Sequence, residues 1–65
     1  MNLDVAGVAR RIQSARNFVL VARLLAQRGL PEKAMGVYEA SFETWPDERV
    51  RDEARRLESS LLKPK

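Results

Sequence analysis

Sixty-five residues with twelve Lys or Arg, nine Asp or Glu, no Cys and no His make one domain at most, near the lower size limit for a chain that folds on its own core. Disulfides and zinc sites, the two usual supplements to so small a core, are excluded by residue type. For a chain this short the balance of apolar burial against ordering entropy comes out near zero, so association with a second copy or a partner is the favoured supplement.

Residues 2–14 hold Val5, Val8, Ala9 and Ile12 at helical spacing, with Asn2 or Asp4 available as an N-cap. Gly7 is the one weak spot, costing about 1 kcal/mol relative to Ala inside a helix. No proline intervenes before Gly29, so the spacing predicts one long first helix over about residues 3–28, of which 3–14 form an amino-terminal extension. Two alternatives are a bend near Gln13 and Ser14, or a separate short helix over residues 1–13 that folds back. Gly29 reads as the glycine just past the helix, with Arg28 complementing the dipole in the last turn. Pro31 at the first position of the next helix, followed by Glu32, is a matching start. That second helix is predicted over 31–44, burying Ala34, Tyr38, Ser41 and Phe42 with Met35 and Val37 on its flanks. After a turn at Trp45, Pro46 and Asp47, a third helix over about 47–62 carries Val50, Ala54, Leu57 and Leu61 at 4-3-4 spacing, capped by Thr44 or Asp47. The rest of it is charged, so it packs on one side only. Residues 63–65 are expected to fray, because Pro64 cannot continue a helix.

The fold class expected is therefore all-α, with three helices in one domain. Arg10 and Arg11 interrupt the early apolar run, and no stretch approaches the roughly 20 apolar residues of a membrane span. Neither a signal peptide nor a membrane partner is expected, and cytoplasmic residence is the default. Hydrolytic and redox catalysis have little to work with: there is no Gly-rich phosphate loop, and Ser14, Ser41, Ser59 and Ser60 lack a base to activate them. Glu39 with Glu43, and Asp52 with Glu53, sit where a solvated helix face is expected. The chain reads as a non-enzyme with no cofactor and no metal.

Across residues 15–48 the order Phe18, Val21-Ala22, Leu25, Ala34, Tyr38 and finally Pro46 resembles the tetratricopeptide repeat, a helix–turn–helix unit of about 34 residues with the signature W-x2-L-G-x2-Y, A-x3-F, P. Phe18 stands in place of Trp, Val21-Ala22 of Leu-Gly, and Leu25 of Tyr, while Ser41 sits where a second small Ala is common. The resemblance implies an antiparallel hairpin over 15–46 with a core of Phe18, Val21, Ala22, Leu25, Ala34, Tyr38 and Phe42, closed by the third helix. It also implies a concave ligand groove lined by the first helix, here Arg16, Val19, Arg23 and Gln27, whose guanidiniums suit a partner's carboxylates. Those same arginines could instead pair with the acidic second helix.

Helix lengths carry the reading further. At about 1.5 Å per residue the first helix spans roughly 38 Å and the second only about 20 Å. The second therefore covers only the Ala15–Arg28 end, leaving Val5, Val8, Ala9 and Ile12 as an apolar association stripe. Val19, Leu20 and Leu24 add to the apolar surface near the middle of the helix. The expectation is a protein–protein interaction module, an adaptor or chaperone-like assembly subunit by family analogy. Its partner would be a second copy, giving a homo-oligomer, or a helical protein.

Charge supports a competing reading. Residues 1–30 carry five Arg against one Asp, a net of +4, and residues 31–65 carry seven basic against eight acidic side chains, a net of −1. Arg10, Arg11, Arg16, Arg23 and Arg28 on one helix could track nucleic-acid phosphates. The helix after the turn bears Glu32, Glu39 and Glu43 and only Lys33 as a base, which argues against a recognition helix in the major groove.

Overall fold

The computed structural model describes residues 4–62, and these form three helices: α1 over Val5–Gln27, α2 over Pro31–Thr44 and α3 over Glu48–Leu62. No strand occurs among the described residues. The all-α, three-helix architecture thus follows the sequence reading, and α1 runs unbroken through Gln13 and Ser14 with no separate amino-terminal helix. Residue 3, Asn2 as an alternative cap, and the tail at 63–65 lie outside the described residues.

Local chemistry sets each helix end. Asp4 caps α1, its Oδ1 accepting from the Gly7 backbone N–H at 2.8 Å, which satisfies one of the donors left free at a helix start. Glycine is suited to that third position because a Cβ there would meet the Asp4 carboxylate. At the other end Gly29 has φ +76°. Its N–H donates to the Ala26 carbonyl at 3.1 Å and the Leu30 N–H to the Leu25 carbonyl at 2.9 Å, the paired bonds of a Schellman ending. Pro31 then occupies the first turn of α2, where its missing N–H has no partner to lose. Trp45 is extended (φ −155°, ψ 109°), as the residue before Pro46 must be. Asp47, rather than Thr44, caps α3: its Oδ1 accepts from the Arg49 N–H at 2.9 Å.

The three helices pack in sequence, α2 lying against both α1 and α3. The deepest contact is made by small side chains: Ala22 and Ala34 are fully buried and Ser41 is 1% exposed. Small residues let two helix axes approach closely, and the Ser41 hydroxyl, buried with them, donates to the Ala15 carbonyl of α1 at 3.1 Å. Val19, Tyr38 and Ala54 complete the buried cluster, with Leu25, Ala26, Met35, Val37, Phe42, Val50 and Leu57 partly buried around it. Arg51 of α3 lies over the Phe42 ring, 5.6 Å from its centroid, a cation–π contact that fixes which edge of α2 faces α3.

Two residues expected in the hairpin core are not there. Phe18 is 37% exposed and Val21 47%. On α1 the buried positions are Ala15, Val19 and Ala22. Phe18 and Val21 each precede one of them by a single residue, a turn of about 100° round the helix, which swings them out of the seam. Val19, expected on the groove, is instead buried at the seam. The other expected core residues, Ala22, Leu25, Ala34, Tyr38 and Phe42, lie in the buried cluster or directly against it.

Gly29→Ala should lower stability by about 1 kcal/mol, because an L side chain must then adopt a left-handed backbone. A urea titration followed by circular dichroism would show it. Ala34→Leu should cost more, about 1–3 kcal/mol, since its Cβ sits where the two helices are closest.

Candidate functional site

Two features of α1 offer themselves for function: a cleft on the side that faces α3, and the amino-terminal overhang. The cleft is open, with a volume of about 600 Å³, and lies between α1 and the start of α3. Ile12, Ala15, Arg16, Val19, Leu20 and Arg23 form its α1 wall, Arg49 and Val50 its α3 wall, and Ser41 and Trp45 contribute from α2 and the turn after it. Of the four groove positions expected, Arg16, Val19 and Arg23 line this cleft, whereas Gln27 is exposed one turn beyond Arg23 and outside it. The structure adds Arg49, Trp45 and Val50, which sequence reasoning did not place because the groove was read from α1 alone.

One end of the cleft is closed by a contact that takes one side chain from each helix. Arg23 of α1 binds Glu53 of α3 in bidentate fashion, Nε to Oε2 at 2.9 Å and Nη2 to Oε1 at 2.8 Å. The Tyr38 hydroxyl of α2 donates to Glu53 Oε2. A planar guanidinium matches a carboxylate with two parallel hydrogen bonds, and the phenol occupies a further acceptor site on the same oxygen. Hydrogen bonding from Arg23 holds the Glu53 carboxyl below its ordinary range, with Tyr38 and the charges of Arg23 and Arg56 adding to the effect. Burial pushes the Tyr38 phenol up to about 12, helped by its bond to Glu53. Glu53 raises Arg23 in turn. Arg23 therefore pairs with the third helix, not with the acidic second helix and not with a free carboxylate. This is the only ion pair among the described residues, so Arg16 and Arg49 stand on the cleft's rim with no ionic partner there.

The overhang has a simpler geometry. Ser41 meets α1 at Ala15, and α2 ends one turn later at Thr44, so it stops near the level of Ile12. Val5 is 71% exposed, Val8 39%, Ala9 is exposed and Ile12 half-buried. These side chains do not form a separate patch. Val5, Val8, Ile12, Ala15, Val19, Ala22 and Ala26 recur with spacing 3-4-3-4-3-4, the a and d spacing of a heptad. The carboxyl-terminal half of this seam is covered by α2 and the amino-terminal half is bare.

The arginines of α1 do not share a face. At about 100° per residue, Arg10 and Arg28 point away from the seam, Arg11 and Arg16 flank it on opposite sides, and Arg23 is held by Glu53. Among the described residues no group of three or more His, Cys, Asp or Glu is placed to hold a metal ion, and no helix is long and apolar enough to cross a membrane. Comparison with protein-family models, with curated proteins and with solved structures finds no match for this chain.

The three-helix contact makes stability depend on pH at both ends. Glu53 is lowered on folding, so its contribution is complete above the ordinary carboxylate value of 4.5 and is lost as pH falls through the folded value. Tyr38 is raised on folding, so its contribution is complete below 10 and is lost as pH climbs toward about 12. Glu53→Gln should cost about 1 kcal/mol at neutral pH and flatten the acid limb of the stability profile. Tyr38→Phe should flatten the alkaline limb. Thermal melts of the three proteins across the pH range are the measurement.

Proposed function

We propose that this chain is a non-catalytic protein-interaction module, a tetratricopeptide-like hairpin with a closing helix that associates with itself or completes a larger partner through α1. The observation that carries the reading is the bare half of the α1 seam. Val5, Val8 and Ile12 continue in register from the buried residues Ala15, Val19 and Ala22, yet nothing in their own chain covers them. An apolar stripe of that kind costs free energy in water and is a usual mark of an association surface.

Two further features support the same reading. The three small positions of the repeat signature, Ala22, Ala34 and Ser41, are the most deeply buried side chains of the hairpin, as a close approach of paired helices requires. Arg16 and Arg49 flank an apolar cleft floor, a combination suited to an acidic partner segment with an apolar anchor residue. An adaptor or chaperone-like assembly subunit is the more specific form, and it rests on family analogy.

Light scattering or sedimentation at micromolar concentration should show a dimer or larger species. Ile12→Asp should dissolve it while leaving the circular dichroism of the hairpin in place, because Ile12 lies beyond the buried cluster. A folded wild-type monomer that retains no partner on α1 would overturn the proposal. Tight binding of duplex DNA with a steep salt dependence would replace it with phosphate binding.

A further inference from the structure

We infer that the occupant of the bare seam is the same seam of a second copy, running antiparallel, so that the two α1 overhangs cover each other about a two-fold axis near Val8. This rests on the reading of the overhang as an association surface and names its partner and geometry.

Three observations converge on it. The first is the shape of the vacancy. α2 shelters α1 from about Ile12 onward, so the open slot runs from the start of α1 at Val5 to that level. A helix laid antiparallel in the slot can be only as long as the slot before it meets the end of α2, and the overhang of a second copy has that length by construction. The seam is also self-complementary in size, Val5, Val8 and Ile12 being β-branched side chains of similar bulk.

The second is charge. Asp4 and Arg11 flank the seam on the same side, one heptad apart. Reversal of one helix against the other sets Asp4 of each copy beside Arg11 of its mate, an arrangement that a parallel pair does not give. Arg10 lies on the far side of the helix and does not enter the contact. The net positive charge of α1 therefore does not oppose pairing at the seam.

The third is surface area. A compact monomer of 7.4 kDa exposes about 4,200 Å², whereas this chain exposes 5531 Å². The surplus, roughly 1,300 Å², exceeds the roughly 800 Å² that each partner commonly buries in a stable interface. The buried apolar cluster is mostly alanine, with Val19 and Tyr38 its only larger members, so the protein has more to gain from this burial than a chain with a full core.

The chain has no cysteine, so a spin label on Gln27→Cys, at the far end of α1, reports on the pair directly. Antiparallel overhangs crossing near Val8 place the two labels about 55 Å apart at 1.5 Å rise per residue. A parallel pair, or stacking through the exposed Phe18 and Val21 face, places them within about 25 Å. Val8→Asp, which leaves the buried cluster untouched, should weaken the dimer roughly a hundredfold and abolish the long distance while the helical signal persists. A dimer with the short distance, or one that survives Val8→Asp, overturns the antiparallel arm but leaves a self-associating module standing. A wild-type protein that stays monomeric at every concentration overturns the self-pairing and leaves only the form of the reading in which α1 completes a different protein.

Discussion

The contact on which the rest of the molecule depends is the near approach of α1 and α2 at Ala22, Ala34 and Ser41. Alanine and serine fill little space, so their burial brings two backbones together without providing much apolar area. Bulk has to go beside that line or outside it. Tyr38 and Val19 go beside it. Phe18, Leu20, Val21 and Leu24, all on α1, stay substantially exposed. The protein thus has a tight hairpin and an apolar exterior for the same reason.

That geometry also explains how the third helix is held. With small residues at the hairpin's centre, α3 finds few large side chains to pack on and buries only Ala54 fully. Its attachment is reinforced by polar chemistry at the level of Tyr38, where Arg23 and Glu53 meet across the phenol. Arg23 is half exposed, so solvent weakens the pair as an energy source. Its bidentate geometry still fixes the register of three helices at one point.

Helix ends were readable because each is written in a few adjacent residues: Asp4 before α1, Gly29 and Pro31 around the first turn, Pro46 and Asp47 around the second. Which face of α1 points inward was harder. Between Phe18 and Leu25 only Arg23 is charged, so periodicity there has almost no polar side to contrast with. The family alignment then placed Phe18 and Val21 inside, where the seam of Ala15, Val19 and Ala22 leaves them out. The Arg23, Tyr38 and Glu53 contact was invisible for a different reason. Its members are 15 and 30 residues apart, and only the packing register of three helices brings them together. Length, by contrast, was legible: 23 residues against 14 is a mismatch that no side-chain detail can remove.

In cross-section the molecule measures 19 by 13 Å, and a helix with its side chains is about 10–12 Å across. The protein is a sheet of helices one layer deep, with two broad sides and nothing that qualifies as an inside. Every residue type it can tolerate is therefore judged against water on one side or the other. Growth by adding units at its edges would lengthen such a layer without thickening it.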